Sequence, residues 1–262
     1  TGKKKLIQKM NNYRKQNILS FYINIISITE FINQIKKFLP LKKGHYVCIS
    51  NVHQCIEAHD NKEFAEVINN ADLAVPDGRP IYWALKLLGH KDAEHLPGYY
   101  VVRNLCKLAT LNSLKVGFYG GEKESLDKCI SNLRNEYQGL KVDYGYSPPF
   151  RTLTNEEKKK IVKDISDSEI EILFVCLGCP KQEYWMAEHK EHLKCISIGV
   201  GEAVNLISNK EKLAPKWVEK IGMRWLTRLI AEPRRLFRRF LYTNTKFVFY
   251  FFKQYLKFKF RF

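Results

Sequence analysis

The chain has 262 residues, 45% of them hydrophobic, and carries a formal net charge of +17 at pH 7. That apolar content excludes a disordered chain, and the length suits one large α/β domain with an appendage or two small domains. The charge points to an anionic partner: nucleic acid, an acidic membrane surface or a phosphorylated substrate.

No run of 18 apolar residues occurs, so no helix is expected to span a bilayer. The opening residues Thr1-Gly2-Lys3-Lys4-Lys5 lack the apolar stretch and cleavage site of a secretory signal. No initiator Met precedes them, and this end is read as a cut. Cysteines 48, 55, 106, 129, 176, 179 and 195 are scattered and odd in number, which fits free thiols in a reducing cytosol. Cys176 and Cys179 form a CxxC, but no second CxxC or His pair completes a zinc set. A structural role is therefore expected, with no metal and no cofactor.

In chain order, residues 1–18 read as a basic lead-in, 19–212 as an α/β domain and 213–262 as a basic, aromatic-rich appendage. Ile18–Ile28 is read as a strand, and Thr29-Glu30 as the cap of a helix running to Leu39. His45–Ser50 is a strand ending at Asn51. A helix over Phe64–Asn70 precedes a strand over Ala71–Val75. The loop Pro76-Asp77-Gly78-Arg79-Pro80 follows, with helices over Ile81–Leu88 and Tyr99–Leu111. Leu114–Tyr119 is a strand closed by Gly120-Gly121, with a helix over Ser125–Tyr137. Lys141–Tyr146 is a strand, Ser147-Pro148-Pro149 a rigid loop and Glu156–Asp164 a helix. The apolar run Ile170–Cys176 turns through Leu177-Gly178-Cys179-Pro180-Lys181-Gln182-Glu183 into a helix ending near His192. Cys195–Val200 then leads through Gly199-Val200-Gly201 into a last helix.

Apolar strands alternating with helices predict a Rossmann-like, mostly parallel sheet covered on both faces. Functional groups in such sheets gather at the carboxyl ends of the strands, where Asn51, Asp77, Gly120-Gly121, Gly178–Gln182 and Gly199–Gly201 all fall. A strand turning through glycine and proline into a helix presents free N–H groups beside a positive helix end, which suits a phosphate. Neither GxGxxG nor GxxxxGK[ST] is present, so neither a dinucleotide nor a P-loop nucleotide is indicated.

Residues 216–262 hold 13 Lys and Arg against two acids, together with 14 aromatics. A basic, aromatic-rich helical segment can lie in a membrane interface. It can instead pack on the domain, or bind nucleic acid through stacking aromatics between cations. Exposed apolar surface also serves self-association, so a homo-oligomer stays among the expected partners.

Several of these pieces together resemble the bacterial WecG/TagA/CpsF glycosyltransferase family. They are Asn51, the loop 76–80, Gly117-Phe118-Tyr119-Gly120-Gly121, Leu177–Glu183, Gly199-Val200-Gly201 and Ala214-Pro215-Lys216-Trp217. The run from Trp225-Leu226-Thr227-Arg228-Leu229 to Glu232-Pro233-Arg234-Arg235 completes the set. The resemblance covers about residues 40–243. It implies a GT-E-type α/β core and inverting transfer from a UDP-sugar to a polyprenyl-diphosphate-linked acceptor, without a strict metal requirement. It further implies Asp77 as general base, Asn51 and Gln182 as active-site polar residues, and a C-terminal segment docked on the inner face of the membrane. UDP-sugar, lipid-linked acceptor and an anionic membrane surface are then the expected partners, and nucleic acid is not.

The residue types suit that chemistry. Inverting transfer needs a carboxylate to take the acceptor proton, and donors for the departing diphosphate. No Asp-x-Asp is present to hold a metal-bound diphosphate. The charge is assigned instead to helix N-termini and to Arg228, Arg234, Arg235 and Arg238, with Arg79 in reserve. Gly78, Gly120, Gly121, Gly178, Pro180, Lys181, Glu183, Gly199 and Gly201 complete the expected substrate-binding set. Ile49, Tyr100, Leu213 and Arg224 depart from the family pattern, which bears on the donor sugar rather than the reaction class. A non-enzymatic nucleic-acid or anionic-membrane binding protein is the alternative.

Overall fold

Six strands, all but the largely exposed edge strand β6 being buried runs, pair into one parallel sheet of order β4-β3-β8-β7-β5-β6. The strands are β3 (His45–Ser50), β4 (Leu73–Pro76), β5 (Lys115–Gly120), β6 (Lys141–Tyr146), β7 (Ile172–Cys176) and β8 (Ile196–Gly199). The computed structural model describes residues 13–210, 215, 218, 222–231 and 233–260, without the side chains of 224, 227, 231 and 235.

Alternate residues of each central strand feed opposite cores, as a two-sided sheet requires. In β7, Leu173 and Val175 face one apolar cluster, while Ile172, Phe174 and Cys176 face the other. The second cluster is closed by α1 (Ile28–Phe38), α5 (Gly98–Leu111), α6 (Lys123–Glu136) and α9 (Ala203–Ile207). The first is closed by α2 (Val52–Asp60), α3 (Lys62–Asn69), α4 (Arg79–Leu87), α7 (Asn155–Asp167) and α8 (Lys181–His189). The expected α/β architecture is therefore present.

Two N-terminal expectations are corrected. The stretch read as one strand is a hairpin of β1 (Lys15–Ile18) and β2 (Phe21–Asn24), which pair antiparallel. Leu19 makes the turn at φ +56°, and the absence of glycine or asparagine there hid it. β1 thus begins inside the stretch assigned to the basic lead-in, of which residues 1–12 lie outside the described residues. The cap of α1 is Ser27, not Thr29. Ser27 Oγ accepts from the Glu30 N–H, and Glu30 returns a bond from the Ser27 N–H, closing a capping box. Thr29 has Ile32 three residues on, so no such exchange is open to it.

The basic appendage forms α10 (Arg224–Ala231) and the 28-residue α11 (Pro233–Phe260). Leu236, Thr243, Phe247 and Phe251 are buried along one face of α11. Asp60, at the end of α2, accepts from Tyr242 Oη at 2.7 Å and Lys246 Nζ at 2.9 Å. Further along, Gln254 accepts from the Leu19 N–H and donates to the Asn17 carbonyl. The hairpin that the sequence hid is therefore the anchor for the far end of the appendage.

Candidate active site

The register of β3 and β4 pairs Ser50 with Pro76, so the next residues, Asn51 and Asp77, leave the sheet side by side. The Asp77 N–H donates to the Ser50 carbonyl at 2.9 Å, extending the ladder by one bond and fixing the carboxylate's stem. Asn51 caps α2, its Oδ1 accepting from the Gln54 N–H at 3.2 Å. Gly78 starts α4, and a Cβ there would stand 3.5 Å from the Asn51 Cβ.

On the other side of β8, β7 turns into α8 through Gly178 at φ +77° and a cis Cys179-Pro180 bond. This places the Gln182 amide over the end of β8. A Cβ on Gly199 would lie 2.8 Å from Met186 Cε and 3.0 Å from Gln182 Nε2, so a side chain there would push against the ends of both. Gln182 Oε1 accepts from the Gly201 N–H at 3.2 Å, and its Nε2 donates to Glu183 Oε1 at 2.7 Å.

These strand ends open on one cavity of about 860 Å³. Asn51, Asp77, Gly78, Arg79, Gly121, Gly178, Gln182, Gly199, Gly201 and Arg228 all line it. Of the remaining expected residues, Gly120 (φ +104°) has its α-carbon packed against the Cys176 backbone. Pro180 caps α8, and Lys181 is exposed beside it. Glu183 is fully buried beneath Gln182. Arg234 and Arg238 are exposed on α11, and none of these six lines the cavity. The side chain of Arg235 lies outside the described residues, as do Leu213, Ala214, Lys216, Trp217 and Glu232.

Sequence reasoning passed over Arg239, His53, His95, Tyr99 and Glu202, all of which line the cavity. Arg228 pairs with Glu202 and lies 5.8 Å over the Phe240 ring, with Arg239 at 5.4 Å from the same ring. Two guanidinium groups thus share one aromatic platform beside the strand ends. Burial lowers the pKa of His53, and Arg239 and Arg228 lower it further against the pull of Glu57. Its imidazole is therefore neutral at pH 7. Arg79, which also lines the cavity, lies 5.5 Å over Tyr82. A carboxylate at one strand end, amides at its neighbours and arginines above suit a substrate with an acidic proton at one point and concentrated negative charge at another.

Among the described residues, no group of three or more His, Cys, Asp or Glu stands together as a metal site. Cys176 and Cys179 are free thiols, outside any disulfide, whose pKa values burial pushes up.

A family model described as glycosyl transferase WecG/TagA/CpsF matches residues 16–261. The chain is 26% identical over 217 residues to the N-acetylglucosaminyldiphosphoundecaprenol N-acetyl-beta-D-mannosaminyltransferase of Bacillus subtilis strain 168, covering 82% of each chain. It is 24% identical over 237 residues to the Staphylococcus aureus (strain NCTC 8325 / PS 47) protein of the same name, covering 88% of this chain and 91% of that one.

Proposed function

The chain belongs to the WecG/TagA/CpsF family of glycosyltransferases, and we propose that Asp77 is the general base of its transfer reaction. In this reading a UDP-sugar lies across the strand ends with its anomeric carbon near Asp77. The carboxylate takes the proton of the attacking acceptor hydroxyl, and the C1–O bond to the diphosphate breaks on the opposite face, inverting the centre. Arg228 and Arg239 receive the diphosphate as its charge develops, with Arg79 as a further cation of the same cavity. Asn51 and Gln182 orient the sugar. The observation carrying this reading is the single cavity that brings Asp77, Asn51 and Gln182 together with Arg228 and Arg239.

The acceptor is a sugar on a polyprenyl diphosphate, in cell-surface polysaccharide or teichoic acid assembly. The names of the relatives, which join a mannosaminyl group to a diphosphoundecaprenol-linked sugar, support this. Among the described residues no helix is long and apolar enough to cross a membrane. The protein would then reach a lipid-linked acceptor from the cytoplasmic side by lying on the surface through α10 and α11.

UDP-N-acetylmannosamine, UDP-hexoses and UDP-hexuronic acids, offered with a short polyprenyl-diphosphate-sugar and read by product mass, test the reaction. Asp77→Asn is expected to lower turnover by about 10²-fold or more while donor binding stays within a few-fold. Undiminished turnover in that variant removes Asp77 from the chemistry.

A further inference from the structure

One buried acid has no part in the mechanism above. Glu183 Oε1 accepts from Gln54 Nε2 at 2.6 Å and from Gln182 Nε2 at 2.7 Å. Its Oε2 is buried without a nitrogen or oxygen partner. Both glutamines are buried. Gln182 Oε1 accepts from the Gly201 N–H, while the Gln54 side chain ends at Glu183. One carboxylate oxygen, itself outside the cavity lining, thus joins a side chain of α2 to one of α8.

The chemistry of the junction fixes direction. A carboxamide can present either its oxygen or its nitrogen to a ligand, whereas an ionised carboxylate only accepts. Glu183 Oε1 therefore turns both glutamine NH₂ groups inward. It leaves the Gln182 oxygen on the Gly201 side, facing the cavity. Burying a carboxyl group is costly, and an apolar side chain of the same size would fill the space without that cost. Burial pushes the group up to about 7, although hydrogen bonds from Gln182, from its own backbone N–H, from Gln54 and from the Cys179 thiol pull the other way.

We propose that Glu183 is a positioning residue: by holding the side-chain amide of Gln182, with that of Gln54 on the same oxygen, it sets which atom of Gln182 meets the donor. The role rests on the transferase reading above, and the experiment separates the two.

The purified chain and its Glu183→Gln and Glu183→Leu variants are compared in the transfer assay, with melting temperatures recorded. Glu183→Gln keeps an acceptor oxygen at the same reach and is expected to hold kcat within about threefold of the parent. Glu183→Leu removes the acceptor and is expected to lower kcat by about 10²-fold at little-changed donor KM, with a lower melting temperature because two buried amide donors lose their partner. Parental kcat in Glu183→Leu, or equal losses in both folded variants, overturns the proposal. Should Glu183→Leu not fold, Glu183→Asp withdraws the oxygen by one methylene. A loss of at least about tenfold is expected there, and parental kcat overturns the proposal. The side-chain ¹⁵N–¹H amide signals of Gln54 and Gln182 give a readout independent of turnover. They are expected to exchange slowly with solvent in the parent and in Glu183→Gln, and fast in Glu183→Leu. If the parent transfers no sugar, the transferase reading fails and the amide signals alone decide whether Glu183 holds its partners. Slow exchange in all three forms overturns the lock.

Discussion

Arg238 and Arg239 are adjacent in sequence and about 100° apart around α11. Leu236 and Thr243 are buried, and Arg239 lies three residues after the first and four before the second, on the face that packs inward. Arg238 points to solvent. With a water-soluble acceptor, Arg239→Ala is expected to lower turnover at least tenfold more than Arg238→Ala, because only the former removes charge from the cavity. Equal effects of the two substitutions would show that the cavity is not where the diphosphate sits. Arg239 was hidden in the sequence because α11 carries apolar residues on both faces. Phe237, Leu241, Val248 and Phe252 are exposed, opposite the buried Phe247 and Phe251, so no polar stripe marked the helical phase. Asn51 and Asp77 were legible as strand-end positions, since such turns leave a short-range signature, whereas the roles expected of them came from the family resemblance. The Gln54–Glu183 bond spans 129 residues of sequence, and no local pattern encodes it.

At the scale of elements, the alternation of apolar strands and helices was enough to read the parallel sheet, and the positions of its carboxyl ends followed. The hairpin was not legible, because Leu19 adopts a left-handed conformation that the sequence does not advertise. That omission bears on α11. Its inner face is fastened to Asp60 and to the hairpin, and its outer face carries Leu241, Val248, Phe252 and Leu256 at intervals of seven, four and four residues. A stripe at this spacing, beside Arg234, Arg238, Lys253 and Lys257, matches an interfacial helix whose cations add about 1 kcal/mol each on an anionic surface. The double variant Val248→Asp/Phe252→Asp is expected to cut binding to phosphatidylglycerol-containing vesicles at least tenfold. Its turnover on a water-soluble acceptor should stay near parental, since neither side chain lines the cavity. Unchanged vesicle sedimentation would instead direct that stripe toward a second copy of the chain.

For the whole molecule, two acids at opposite ends of the sheet make stability depend on pH with opposite signs. Asp72 lies at the amino ends of β3 and β4, taking the Tyr46 N–H at 2.9 Å, Lys190 at 2.9 Å and His45 at 3.0 Å. Burial pushes Asp72 up, but bonds from His45 and the charge of Lys190 outweigh it and hold it below the ordinary carboxylate range. Its contribution is fully present above the unfolded value near 4 and is lost as pH falls through the folded one. Glu183, at the carboxyl end, is pushed up to about 7, so the folded chain holds that proton more tightly than the unfolded chain. Its contribution is fully present below the unfolded value and disappears as pH rises through 7, a change of roughly 2 to 3 kcal/mol between pH 5 and pH 8. Glu183→Gln is neutral throughout and escapes this loss. Its unfolding free energy in urea, measured against the parent, is expected to improve by about that amount from pH 5 to pH 8, whatever fixed cost the new amide brings. Asp72→Asn, by contrast, should change the comparison only below about pH 4. A parent–variant difference for Glu183→Gln that stays constant from pH 5 to pH 8 would mean that Glu183 ionises as freely in the folded chain as in the unfolded one. A pH-dependent gap, with kcat preserved in the glutamine variant, would mean that the site keeps a carboxyl group costly to fold at neutral pH for the sake of one well-placed acceptor oxygen.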